Sequence, residues 1–375
     1  MRGMTRRRRS ALFPLWITSC MISTLFSFAS AQQATTSNHA AEIDHLTSEA
    51  LQKERIPAIT VAVAIDGHVI YSKGLGTADL EHAVVANNDT LIRTGSLAKP
   101  ITAVAAMTLV ESGKLDLDAP VQRYCPAFPQ KRWTITTREL LAHTSGIRHY
   151  RENEIENTKH YKNMSDGFAI FAADPLLFEP GTKFSYSTYG YTVAGCVIEG
   201  SSGEKFFDYV RKHVLLPSNM THTFVDDVYS LLPNRARGYH VNGGMVENAR
   251  LMDSSYKIPG GGLVSTAEDF VRFGSALMDG KIVRSDTLRL LWSPTGAPTL
   301  DGGKPSNYAL GFGVLTVDGQ QFVNHSGGQQ GTSTDFAFLP SKHFAVAVFA
   351  NDEDAHPESI VNSIFDLYRM PHTQE

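Results

Sequence analysis

Three serine–lysine pairs in this chain have the spacing that lets an amine activate an alcohol: Ser96–Lys99, Ser202–Lys205 and Ser254–Lys257. At the start of a helix, residues three apart share a face. The amine can then reach the hydroxyl and take its proton. Spacing alone does not choose among the three. Ser202 lies in Ser201-Ser202-Gly203-Glu204, ahead of the run Phe206–Val214, and reads as a helix N-cap. Ser254–Lys257 runs into Pro259-Gly260-Gly261-Gly262 and reads as loop. Ser96–Lys99 opens the most apolar helical pattern beyond the first thirty residues, Leu97–Glu111, behind the strand-like Leu91-Ile92-Arg93. Pro100 is tolerated in a first turn, where its missing N–H has no partner to lose. Free N–H groups and the positive dipole end at that place suit a developing oxyanion. An ordinary N-cap is the competing reading of Ser96.

A lysine base needs help from its surroundings. Its ordinary pKa is about 10.4, so bringing it near neutrality takes roughly three units, or about 4 kcal/mol. Burial or a second cation supplies such a shift, and a nearby tyrosine can relay the proton. Two other segments offer partners. Pro180-Gly181-Thr182-Lys183-Phe184-Ser185-Tyr186-Ser187-Thr188-Tyr189-Gly190-Tyr191 is rich in phenols and hydroxyls. His325-Ser326-Gly327-Gly328 ends a strand-like run, where glycine lets a ligand approach the backbone. Each alone reads equally as packing or a turn. The chain lacks G-x-S-x-G, a P-loop, a dinucleotide fingerprint, C-x-x-C and H-E-x-x-H, so no metal or cofactor is expected.

The elements that must position these groups follow from periodicity and turns. A helical pattern over residues 40–55 stops at Pro57. Ile59–Ile65 and His68–Lys73 flank Asp66-Gly67, a two-residue hairpin signal. Gly313–Val317 and Gln321–Asn324 flank Asp318-Gly319. Thr334–Leu339 and Phe344–Ala350 flank Pro340-Ser341-Lys342, and a last helix covers Glu358–Arg369. Tight turns imply an antiparallel sheet. The expected fold class is α+β: a mostly antiparallel sheet from both chain ends (residues 38–113 and 291–375), flanked by terminal helices, with a mainly helical lobe (114–290) inserted.

The chain has 375 residues, 42% of them hydrophobic and 19% charged, an ordinary globular composition. Residues 1–31 carry Arg2, Arg6, Arg7, Arg8 and Arg9 and no acid. Setting these aside leaves 29 of the 34 basic residues against 38 acids, a net −9. That argues against nucleic acid as a partner. The Arg6–Arg9 cluster, the apolar Ala11–Phe28 and Ala29-Ser30-Ala31 form a secretory signal pattern, with Gln32 the first mature residue. An uncleaved anchor is the alternative. Export to the periplasm or medium follows. Cys125 and Cys196 then remain; a disulfide is allowed, while two buried small hydrophobes are the commoner outcome.

Three segments in order resemble the serine β-lactamase and penicillin-binding-protein superfamily, closest to its class C β-lactamase-like branch. Gly95-Ser96-Leu97-Ala98-Lys99-Pro100 resembles the first motif. Phe184-Ser185-Tyr186-Ser187 with Gly190-Tyr191 resembles the second, and His325-Ser326-Gly327-Gly328 the third. Leu140–Ile147 and Gly261–Asp269 resemble structural signatures of that branch. The resemblance implies a β-lactamase-like domain over residues 32–375 with Ser96 as acylated nucleophile, Lys99 as base or relay, and Tyr186 as assisting base. It implies that His325 and Thr188 contact substrate, with His325 standing at a cation's place and its charge varying near neutral pH. Backbone N–H groups of Ser96 and Gly328 would form the oxyanion hole. The implied reaction is acyl transfer to Ser96 and hydrolysis of an ester, amide or peptide in a small-molecule or peptide substrate, without a cofactor. A penicillin-binding sensor or assembly protein with little turnover is the alternative. Thr188 stands where the family pattern has Asn, which puts a contact to Lys99 or a substrate amide in doubt. The literal Tyr161-Lys162-Asn163 lies in a polar stretch without the second motif's context. The sequence names neither the substrate nor an oligomeric state.

Overall fold

A computed structural model describes residues 39–371. The expected signal segment, residues 1–31, lies outside the described residues. The chain divides into two units, Met1–Asp44 and His45–Glu375. Of the first, the described residues 39–44 are helical. The second opens with α1 (residues 45–54).

The second unit is built on a seven-stranded sheet. Its strands are β1 (Ala58–Ile65), β2 (His68–Asp79), β3 (Val84–Val85), β9 (Gly313–Val317), β10 (Gln320–Gln329), β11 (Thr332–Leu339) and β12 (Phe344–Ala350), ordered β3-β2-β1-β12-β11-β10-β9. All the pairings are antiparallel. Asp66 and Gly67 (φ 50° and 77°) and Asp318 and Gly319 (φ 48° and 75°) close two hairpins; positive φ at both central residues matches the twist of the flanking strands. β1 and β12 are buried almost throughout, so both sheet faces are covered. Phe336 packs on Phe270 and Phe273 of α7 (Ala267–Met278). On the other face α9 (Pro357–Leu367) sets Phe365 against Phe322 and Phe344.

Between the two halves of the sheet run α2 (Ala98–Glu111), α3 (Thr137–Leu141), α4 (Thr188–Ser202), α5 (Phe206–Val210), α6 (Ile258–Gly261) and α8 (Ser285–Leu291). Short strands β4 (Ile92–Arg93), β5 (Phe224–Val225) and β8 (Leu263–Ser265) form a second sheet, and β6 (Tyr239–Asn242) pairs with β7 (Met245–Asn248). α2 is buried on nearly every side. Its alanines, Leu109 and Met107 favour helix, and a helix that is apolar all round belongs in a core. It packs against α4 and α6.

Two expectations are corrected here, and the pairing of the cysteines, left open by the sequence, is settled. Ser202 ends α4 rather than capping α5; its Oγ meets the Glu199 carbonyl at 3.4 Å, and Gly203 takes the left-handed conformation that stops the helix. Ser255–Lys257 and α6 are helical where loop was expected. Pro259 falls in a first turn, where its missing N–H costs nothing. Cys125 and Cys196 form a disulfide with Cα atoms 5.5 Å apart, tying the segment after Arg123 to α4.

Asp335 on β11 is buried toward α9, and burial followed by the charge of Glu358 pushes its carboxyl up to about 8. A folded pKa above the ordinary ~3.9 contributes stability that is complete below ~4 and is lost as pH rises through about 8. Asp335→Asn keeps the shape without the charge. It is expected to raise Tm by roughly several degrees at pH 8, the gap closing toward pH 4. Melting curves across that range check this; a pH-independent difference refutes it.

Candidate active site

The strand β4 delivers the chain into a short 3₁₀ turn, Gly95–Leu97, which precedes α2. Ser96 sits in that turn, partly exposed, and Lys99 in the first turn of α2, fully buried. Opposite them runs β10. β9 pairs with β10 only as far as Asn324, so the edge His325–Gln329 is free to face the turn. The two backbones nearly touch. A Cβ on Gly95 would fall 2.8 Å from Gly328 N, and one on Gly327 would fall 3.0 Å from Ser96 N. Gly95 also has φ +51°; a side chain is excluded there twice over. Gly328 is exposed, with open space where a Cβ would point. The Ser96 and Gly328 amides thus lie close together, with open space beside Gly328.

Lys99 Nζ lies 3.0 Å from Ser96 Oγ, 3.2 Å from Thr188 Oγ1 and 2.6 Å from the Gly260 carbonyl. Burial, and then the charge of Lys257, holds its pKa well below the ordinary range. A neutral amine has two N–H groups and one lone pair. The Gly260 carbonyl can only accept, and the Thr188 hydroxyl can accept while donating elsewhere. In its neutral form Lys99 would give two N–H bonds there and keep its lone pair for the Ser96 hydroxyl proton. The buried amine also lies 4.7 Å from the centroid of the Tyr186 ring.

Tyr186 is half-buried just before α4, and its hydroxyl interacts with that of Ser96. Burial raises the phenol above its ordinary value. The raised phenol favours its protonated form at neutral pH, which suits a proton relay between Ser96 and Lys99. Two histidines hold its segment. Ser187 N donates to His143 Nδ1 at 3.1 Å, and Thr188 N donates to His149 Nδ1 at 3.3 Å. Both rings therefore accept at Nδ1 and carry their proton on Nε2. Burial first, then the Lys99 charge, lowers both, His149 to about 4. The His143 ring lies 4.1 Å from that of Tyr186. Ser187 caps α4, its Oγ accepting from Gly190 N.

Thr188 and His325 are placed differently from the expectation. Thr188 is 2% exposed and supports Lys99 from behind, so it offers substrate no surface. The contact to Lys99 that the absent Asn put in doubt is present. His325 is 6% exposed, and burial with the Lys99 charge lowers its pKa to about 3. Its Nδ1 donates to the Ser326 carbonyl at 2.6 Å, leaving Nε2 to accept from Tyr308 Oη at 2.9 Å. It is a neutral ring with both nitrogens occupied, not a cation titrating near neutrality. The Tyr161-Lys162-Asn163 segment stands apart, with Asn163 capping the turn Met164–Ile170. Sequence reasoning passed over His143, His149 and Tyr308, and set Lys257 aside with its Ser254 pair as loop. Of the first three, His143 alone lay in a family-like segment, and no spacing connects the others to Ser96.

Residues 43–368 match the family model described as Beta-lactamase. The chain belongs to the β-lactamase family. The human "Serine beta-lactamase-like protein LACTB, mitochondrial" is 30% identical, covering 76% of this chain and 69% of its own. Among solved structures, the octameric penicillin-binding protein homologue from Pyrococcus abyssi is 25% identical with a TM-score of 0.75, covering 88% of this chain and 77% of its own. "EstCE1, a hydrolase with promiscuous acyltransferase activity" shares the fold at 23% identity and a TM-score of 0.74, over 88% of this chain and 98% of its own. In this β-lactamase-family protein Ser96, Lys99, Tyr186 and Gly328 come together around one hydroxyl, while Thr188 and His325 are buried.

Proposed function

We propose that this protein is an exported serine hydrolase that forms an acyl-enzyme on Ser96 and hydrolyses an ester, amide or peptide bond. One observation carries the reading: a buried amine 3.0 Å from a partly exposed hydroxyl. As Ser96 Oγ bonds to the carbonyl carbon, its proton moves to Lys99 Nζ. The oxygen that becomes negative meets the Ser96 and Gly328 amides. Collapse breaks the carbonyl bond to the leaving group, which takes the proton from Lys99 directly or through the Tyr186 phenol. Water then attacks the acyl carbon, giving a proton to the amine, and Ser96 regains its hydrogen as the acid departs.

The test is labelling of the full chain with a fluorescent penicillin, p-nitrophenyl esters and D-Ala-D-Ala peptides, with mass mapping of the modified residue. The expected result is a label on Ser96 that turns over, with product released beyond one equivalent. No label from any probe, or one on another residue, overturns the reading. A label on Ser96 that persists for hours selects the penicillin-binding sensor instead. Export rests on the Arg6–Arg9 and Ala29-Ser30-Ala31 pattern; N-terminal sequencing of the secreted protein should begin at Gln32.

A further inference from the structure

Lys257 is a second buried lysine at this site, 2% exposed, and the Ser96–Lys99 chemistry has no stated use for it. Its Nζ donates to Gln329 Oε1 at 2.9 Å. Gln329 follows Gly328 on β10, and Lys257 immediately precedes α6, whose Gly260 carbonyl holds Lys99. A single side-chain bond therefore joins the turn whose carbonyl holds the base to the strand that carries the oxyanion amide.

The charges around Lys257 are unbalanced. Among the described residues it forms no ion pair. Arg93 approaches from β4, Lys99 from α2 and the neutral His149 from the loop before α4. The rings of Tyr150 and Tyr256 lie 5.6 and 5.8 Å away. The acid acting on it is Asp226, already bonded to Arg93 and Ser254 at 2.9 and 3.0 Å. Two cationic side chains, Arg93 and Lys257, share that carboxylate, and the charge of Lys257 disfavours that of Lys99.

Building on the Ser96–Lys99 reading, we propose that Lys257 is a positioning residue for acyl transfer: its bond to Gln329 sets α6 against β10, and its ammonium denies Lys99 a proton. Burial, then Arg93, lowers Lys257 to about 7, so in acid it carries charge beside Lys99. Lys99 consequently stays a base to lower pH than it would alone.

Two variants separate bond from charge. Lys257→Met removes both. Gln329→Glu keeps a partner and cancels the charge. In Lys257→Met the acid limb of the kcat/KM profile is expected to move to higher pH, with at least a roughly threefold greater loss at pH 6 than at pH 8. In Gln329→Glu the limb moves the same way, while kcat at pH 8 stays nearer that of the parent. NMR titration of the lysine side chains in the full-length protein reads the same shift without turnover: the Lys99 pKa rises in both variants. If kcat falls equally at every pH and the Lys99 pKa is unmoved, the proposal is overturned. If the parent protein itself shows no Ser96-dependent turnover, the hydrolase reading fails, and the NMR titration still decides whether the two lysines are coupled.

Discussion

Ser96→Ala is expected to abolish both the burst and the steady release of product from an activated ester, a loss on the order of 10⁵–10⁶ in kcat. The alcohol is the atom that bonds to the acyl carbon, and alanine supplies nothing in its place. The residue is partly exposed and its hydroxyl contacts Lys99 and Tyr186. Lys99 keeps its bonds to Thr188 and Gly260 in the variant, so the fold should persist with a stability change of about 1 kcal/mol or less. The measurement is pre-steady-state and steady-state hydrolysis beside a melting curve. Hydrolysis that survives in a folded Ser96→Ala protein refutes the assignment of the nucleophile.

The second large effect is expected from Lys99→Met. Methionine fills a similar volume but can neither take nor return a proton. General base catalysis contributes roughly 10²–10⁴, and here the same group also serves the leaving atom, so kcat/KM should fall by about 10³–10⁴ or more. Raising the pH should not restore it, because no group remains to deprotonate. In the parent protein activity requires neutral Lys99. It is therefore lost on acidification through a pKa that burial and Lys257 hold well below ordinary lysine. A Lys99→Met profile retaining that acid limb would assign the limb, and the base, to another group. Thr188 and Gly260 lose their donor in this variant, so circular dichroism and melting must show that it folds.

Two basic side chains near Ser96, His325 and Lys257, differ in what their nitrogens do. His325 stood out in the sequence, yet its nitrogens are spent on Ser326 and Tyr308, and it stays neutral. Lys257 did not stand out, because Pro259-Gly260-Gly261-Gly262 reads as loop. It is nonetheless the lysine whose charge acts on Lys99. Glycine and proline predict against helix through their average cost. One short turn survives here because Pro259, Gly260 and Gly261 are buried against α2, α4 and the 3₁₀ turn that bears Ser96.

Some features were determined by the chain itself. The Asp66-Gly67 and Asp318-Gly319 turns, the alternating strands around them, the apolar α2 and the order of the three motif segments are local patterns, and local patterns suffice for turns and amphipathic faces. What tertiary structure decided is which serine has a working base, and in what protonation state. Lys99 owes its lone pair to Thr188 and to Gly260, far along the chain, and its lowered pKa to the exclusion of water and to Lys257. The cysteine pairing depended likewise on a 5.5 Å separation between segments distant in sequence. Desolvation and long-range charge belong to the packed interior, and a linear pattern of residue types does not carry them.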